Sequence, residues 1–329
     1  MKTERRIGIL AALALCLGWL ALAPGPADAQ TWPTRPIKFV VAYPPGGGAD
    51  VTGRLFAEAM SKTLGERIVV ENRSGAGGTI GANLVVHAEP DGYTILVAAI
   101  SEISIAPATV KALPYDPTRD LQPVVLLSKW SQILVATPSF PANSLAELIA
   151  YAKQHPGALR YGSFGNNTLN HVNGERFKLA AGIDARHIPY RGSGPMLLDL
   201  LAGQIEYAFD GPATTLSQIA AGKLKAIAVA GDARLRNAPQ IPTTAEAGLP
   251  DFQVNSWIGM LAPAQMPRAI VDRLNEAANA AMTTPEVIQA LDLGNTLPGG
   301  GTPEAFGTQI RDEIGLYRKI VSDAGIEPQ

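Results

Sequence analysis

The chain has 329 residues, with 27 lysines and arginines against 29 aspartates and glutamates and a formal net charge of −2. That balance offers no basic surface, which excludes nucleic acid and anionic membranes as partners. The single cysteine, Cys16, falls in an N-terminal leader, so neither a disulfide framework nor a cysteine zinc cluster is expected after export.

The leader comes first. Lys2, Arg5 and Arg6 precede an apolar run from Ile7 to Ala23 that breaks at Pro24-Gly25-Pro26. Ala27-Asp28-Ala29 is a small-x-small signal-peptidase pattern, so residues 1–29 read as a signal peptide cleaved before Gln30. A retained anchor is the alternative, but the run sits at the low edge of the roughly 17–25 residues that span a bilayer. Leu15 stands where lipoprotein processing wants a small side chain before Cys16. A cysteine-free exported chain of this size fits the periplasm. Its length leads to two domains of about 150 residues each.

Ile37–Ala42 reads as a strand, followed by Tyr43-Pro44-Pro45-Gly46-Gly47-Gly48-Ala49-Asp50 and an amphipathic helix from Val51 to Leu64. Glycines at a strand-to-helix turn let backbone N–H groups approach a ligand, and the positive helix end favours an anion. The loop lacks a dinucleotide fingerprint, because Val51 stands where G-x-G-x-x-G needs its third glycine. A carboxylate-sized cradle remains.

Arg67–Glu71 is a second strand. Asn72–Gly78 is a second flexible loop opening a helix to about His87, and Thr94–Ala99 is a buried strand. Further strands are expected at 123–128, 132–137, 159–162, 186–189, 206–209, 224–230 and 256–262. Ser144-Leu145-Ala146-Glu147 is a capping box, and another helix covers about 267–282. Repeated βα units imply open, parallel-type α/β sheets with ligands beyond the carboxyl ends of the strands. A second anion-competent loop, Arg160 to Thr168, precedes a helix over 169–181. Its glycines, Ser163, Asn166, Asn167 and Thr168 supply donors for a ligand oxygen. Either loop alone could be an ordinary tight turn, whereas two of them on different domains suggest a cleft.

With Pro33–Ile37, the first loop, Val70–Gly78, Pro90–Thr94, Tyr161-Gly162-Ser163, Pro189–Ser193, Ala202-Gly203-Gln204, Phe209-Asp210 and Ala220–Ala226 in this order, the chain resembles the Bug-type (TctC-like) solute receptors of tripartite tricarboxylate transporters. The likeness runs through the whole exported chain. It implies a two-domain periplasmic-binding-protein fold (a type II-like Venus flytrap) with two chain crossovers, near 128–132 and 252–256. Domain 1 is then 30–130 plus 254–329, and domain 2 is 131–253. The resemblance also implies that the two loops pinch one carboxylate, through Gly46, Gly47, Gly48 and Asp50 on one side. Gly162, Ser163, Gly165, Asn166, Asn167 and Thr168 would act on the other. Phe164 and Asn167 depart from the Gly-Ser-Ser-Gly-x-Gly-[ST]-like run of many relatives.

Asp50 is read on its position as a cap for the first helix, and Asp210 as meeting the far end of the ligand. Tyr43, Phe164, Tyr190 and Phe209 near the cleft permit an aromatic acid as well as an aliphatic di- or tricarboxylate. His87, His155, His171 and His187 lack metal-ligand spacing, so no metal is expected, nor any cofactor. Ser163 and Ser193 lie outside any G-x-S-x-G elbow, with Tyr161 and Arg191 at the first-glycine positions, so no catalytic residue is assigned. Arg191 is either a surface charge or a guide for anions. The expectation is a non-enzymatic, monomeric receptor that passes a small organic carboxylate to integral membrane transporter subunits. A sensor module for a membrane kinase is the alternative, and an ester or amide hydrolase acting through Ser163 a weaker one.

Overall fold

The computed structural model describes residues 32–328, so the expected signal peptide and its cleavage site lie outside the described residues. Residues from Arg35 onward form one compact unit. Among the described residues no helix is long and apolar enough to cross a membrane.

Two sheets share one long strand. In the first, β1 (Ile37–Val41) lies between β2 (Ile68–Asn72) and β3 (Thr94–Ala99), parallel to both. Beyond β3 come β9 (Asn255–Pro263), β4 (Leu121–Ala136) and β10 (Leu297–Gly300), each antiparallel to its neighbour. In the second sheet, the last residues of β4 pair antiparallel with β7 (Tyr207–Asp210) and β8 (Lys225–Ala230). There β5 (Leu159–Ser163) runs parallel to β7 and to β6 (Ala185–Pro189). The sheets are therefore mixed, not parallel-type as expected. An apolar run marks a buried strand but carries no direction, and β9 returns to the first sheet only after the second is complete.

The segments 123–128 and 132–137, expected as two strands, form the single β4. Lys129, Trp130 and Ser131 interrupt the apolar pattern without interrupting the pairing, since all three continue in register against β9. From Gln132 onward β4 pairs with β8, while the Gln132 N–H still reaches Val254 O at 3.2 Å. β4 thus passes from one sheet to the other at residues 131–132.

Helices cover both sheets. α1 (Gly48–Leu64) starts three residues before the expected helix and ends on Gly65, whose left-handed φ of 76° closes the last turn. α2 (Thr79–Val86) follows the second glycine loop. A π-turn at Ser101–Ile105 leads into the short α3 (Ala106–Thr109). The expected capping box opens α4 (Leu145–Gln154). The Glu147 N–H donates to Ser144 Oγ at 3.2 Å, while its carboxylate reaches back to the Asn143 N–H at 2.7 Å. α5 (Leu169–Ala181), α6 (Ser193–Leu201) and α7 (Pro212–Ala220) flank the second sheet, and α8 (Arg268–Ala281), α9 (Pro285–Leu293) and α10 (Pro303–Asp323) return to the first.

Packing is close where α10 crosses β9. Phe306 meets Trp257 edge-on at 5.1 Å and lies over Gly259, where a Cβ would come within 2.3 Å of the ring. Both aromatic side chains are buried, and neither can retreat into space. Gly259→Ala is expected to cost about 1–3 kcal/mol, the range for overpacking a filled core. Urea unfolding would show this as a lowered midpoint at unchanged slope.

Candidate functional site

A cavity of about 340 Å³ opens between the two sheets, at the carboxyl ends of β1, β3, β6 and β7. Four helices begin on its wall. The N-cap residues are Gly47 for α1, Thr168 for α5, Gly192 for α6 and Gly211 for α7, and none supplies a side-chain cap to its helix. First-turn N–H groups and the positive ends of four helix dipoles therefore face one space. Two charged side chains stand in that wall, Arg191 and Asp210.

Of the residues expected in the site, Tyr43, Gly46, Gly47, Gly48, Phe164 and Asp210 line the cavity. The first loop reaches it because Gly47 is extended, at φ −81° and ψ 168°, and Gly46 takes a left-handed φ of 83°. Asp50 does not line it. Asp50 is buried behind the loop, where it accepts from the Gly46 N–H at 2.9 Å, Asn72 Nδ2 at 2.8 Å and Arg54 Nε at 3.0 Å. Burial works to raise its pKa, but these bonds win and hold it below the ordinary carboxylate range. Its role is to fix the turn that presents Gly46–Gly48.

Of the second loop, Phe164 lines the cavity, whereas Gly162, Ser163, Gly165, Asn166, Asn167 and Thr168 are not among its lining residues. Gly162 faces the core, where a Cβ would meet Met196 and Ile205 at 2.6 Å. Ser163 is fully buried. Its Oγ accepts from the Gly165 N–H at 3.1 Å and lies 2.6 Å from His187 Nε2. That serine–imidazole contact resembles half of a hydrolytic triad, but the hydroxyl is sealed from the cavity and spent on its own turn. His187 stacks on His171 at 4.2 Å, and burial followed by that neighbour pushes its pKa down to about 4. Thr168 Oγ1 donates to Gly165 O at 2.7 Å. Asn166 and Thr168 border the first sheet's glycine loop instead, since a Cβ on Gly77 would come within 3.2 Å of Asn166 O. The loop shapes the start of α5, and beside Phe164 it is Leu169 and Asn170 that reach the wall.

Contacts cross the cavity at both sides. The Leu169 N–H donates to Ser101 Oγ at 3.0 Å, so the first turn of α5 is capped from the π-turn of the other sheet. At the opposite rim, Arg236 pairs with Asp292 at 2.7 Å and Asn237 Nδ2 donates to Asp292 O at 2.6 Å. Beneath the first loop, the Tyr43 hydroxyl lies 3.1 Å from Gly77 O and 2.9 Å from Glu102 Oε2. One phenolic hydrogen cannot serve both acceptors. Burial raises the Glu102 pKa to about 8, so near neutrality its own proton completes the chain. Asp210 is likewise pushed up by burial, to about 6, against bonds from Ser193 Oγ and the Gly211 N–H, each at 2.7 Å.

Sequence reasoning missed Trp130, Gln132 and Ser256, which line the cavity from β4 and β9. For Trp130 and Gln132 the signal was the polar break in the apolar pattern of β4. Among the described residues no group of three or more His, Cys, Asp or Glu could hold a metal.

Two α/β sheets joined by one shared strand, with a cavity between them on whose wall four helices begin, have the fold of the periplasmic binding proteins. The match to the Tripartite tricarboxylate transporter family receptor model over residues 52–325 makes the assignment specific: the chain belongs to that family. It is 33% identical over 318 residues to Protein BugT of Bordetella pertussis, covering 96% of this chain and 97% of that one. A solved periplasmic transporter is 40% identical, with a TM-score of 0.88, and the match covers 91% of this chain and all of the other. Rpa4515 of R. palustris, solved with adipate, is 33% identical with the same TM-score and the same coverage.

Proposed function

We propose that this protein is a periplasmic solute receptor that closes two lobes on a small organic carboxylate and delivers it to integral membrane subunits. The observation that carries the reading is the convergence of four helix N-termini on one cavity, none of them capped by the side chain of its own N-cap residue. Such a wall stabilises a carboxylate through backbone donors and helix dipoles without a matching cation. The adipate-bound relative supports the same ligand class. Domain 1 would be residues 30–130 plus 254–329 and domain 2 residues 131–253, with hinges where β4 changes sheets and where the chain enters β9. The bonds across the cavity form on closure, and the bound acid stabilises the closed state by its extra contacts there. The buried Ser163 favours a receptor over a hydrolase. Delivery to a transporter rather than a sensor rests on the family.

Melting the exported protein against mono-, di- and tricarboxylates and aromatic acids tests the reading. A ligand at a hundredfold its Kd adds about 2.7 kcal/mol of stability when only the folded form binds. At least one acid should raise the melting temperature clearly, and its methyl ester should not. Equal shifts from acid and ester would contradict a carboxylate site.

A further inference from the structure

The floor of the cavity lies between the two lobes, where β4 and β9 run side by side, and it carries polar groups that the protein leaves unused. Gln132 is 2% exposed. Its Oε1 accepts from Asn173 Nδ2 at 3.4 Å, while its NH₂ end faces the cavity without a partner among the described residues. Ser256 lies on β9 opposite Trp130, 6% exposed, and its hydroxyl has no protein partner there either. Two buried polar ends on the paired strands therefore await a group that is not protein.

Their chemistry limits that group. Both are neutral, and Gln132 can only donate from its free end, so an oxygen is required. The cationic side chain of the wall, Arg191, follows β6 and belongs to neither of the floor strands, β4 and β9. It adjoins Gly192, which packs by Pro44 in the first loop. The carboxylate nearest the floor is Asp210, on the strand that pairs with β4 beside Gln132. An ionised second carboxylate on the floor would be desolvated against neutral donors with Asp210 close by, a costly arrangement. A methyl group would leave the Gln132 amide and Ser256 hydroxyl unpaired once closure expels water, and sites built this way reject analogues lacking the oxygen. A hydroxyl or keto oxygen satisfies both without adding charge.

We infer that Gln132 and Ser256 read a neutral oxygen on the ligand, so that the solute is a hydroxy- or oxo-carboxylate rather than an alkyl acid or a diacid of equal length. This rests on the carboxylate-receptor reading and makes the ligand class narrower.

Calorimetric titration of the exported protein with sodium salts of matched short-chain acids tests it. Each set holds an alkyl acid, its hydroxy and oxo derivatives with the oxygen at successive carbons, the diacid of equal length, and the methyl ester of the hydroxy acid. The best hydroxy or oxo acid should bind about tenfold or more tighter than the alkyl acid and the diacid. Gln132→Leu should bring that ratio to within about threefold, and Ser256→Ala should reduce it. A diacid that binds as tightly as the oxygenated acid overturns the inference, and so does a preference that survives both substitutions. Acids that bind without regard to the second oxygen remove this inference alone. Esters that bind like free acids, or no binding by any member, remove the carboxylate reading with it.

Discussion

Gly47→Val is expected to lower the affinity of the best-binding acid about a hundredfold or more, a loss of about 2.7 kcal/mol, while leaving the fold intact. Gly47 is extended at φ −81°, a conformation valine accepts, and a Cβ there would approach nothing nearer than Pro44 O at 3.7 Å. The added methyls must then occupy the cavity beside the first N–H groups of α1, where the anion has to sit. Gly162→Val offers the contrast. Its side chain would strike Met196 and Ile205, so unfolding rather than selective loss of binding is its expected result. Titration calorimetry beside urea unfolding separates the two outcomes. Parent-like affinity in folded Gly47→Val would mean that the first loop does not hold the ligand.

The second large effect is on stability against pH. Glu102 keeps its proton in the folded protein up to about pH 8, whereas an unfolded glutamate releases it near 4.5. The folded state therefore holds the extra proton in that window. Stability is fully present below 4.5 and lost as pH rises through about 8, at about 1.4 kcal/mol per pH unit. Asp210 acts in the same direction up to about pH 6. His187 has the opposite sign. With its folded pKa near 4 against 6.5 unfolded, it contributes stability above 6.5 that is lost as pH falls through 4. Between pH 6.5 and 7.5 the Glu102 slope outweighs what remains of the histidine slope, to which His171, also lowered by burial, adds. The unfolding free energy should fall by somewhat less than the full slope, roughly 0.7–1 kcal/mol, across that unit in the parent. Most of the fall should vanish in Glu102→Gln, whose amide can replace both bonds of the neutral acid. A parent profile that is flat over this interval would mean that Glu102 is ionised in the fold.

The first glycine loop, the capping box at Ser144 and most strand positions were legible because local chemistry decides them. Glycine permits Gly46 its left-handed φ, and a serine three residues before a glutamate caps α4 wherever α4 lies. Strand direction was not legible. The residues of β9 pattern alike whether they run with β3 or against it, and only the return of the chain after the second sheet decides. Nor could the sequence show that β4 stays continuous through Lys129, Trp130 and Ser131, because polar residues there look like a break until β9 is placed beside them. The same gap concealed Gln132 and Ser256, whose place in the wall depends on a pairing across more than a hundred residues. The second loop had the composition of a ligand cradle. Its serine and threonine instead bind their own turn, which alternation along β5 does not reveal.

The most direct measurement is a crystal structure of the exported protein with the acid that stabilises it most. The carboxylate should lie in the cavity between the two sheets, within hydrogen-bond reach of backbone N–H groups of Gly46–Gly48 and of the helix starts facing them, with the ligand chemically unchanged. An acid bound elsewhere on the molecule, or one held in the cavity by its uncharged end with the carboxylate turned away from those N–H groups, would contradict the receptor proposed here.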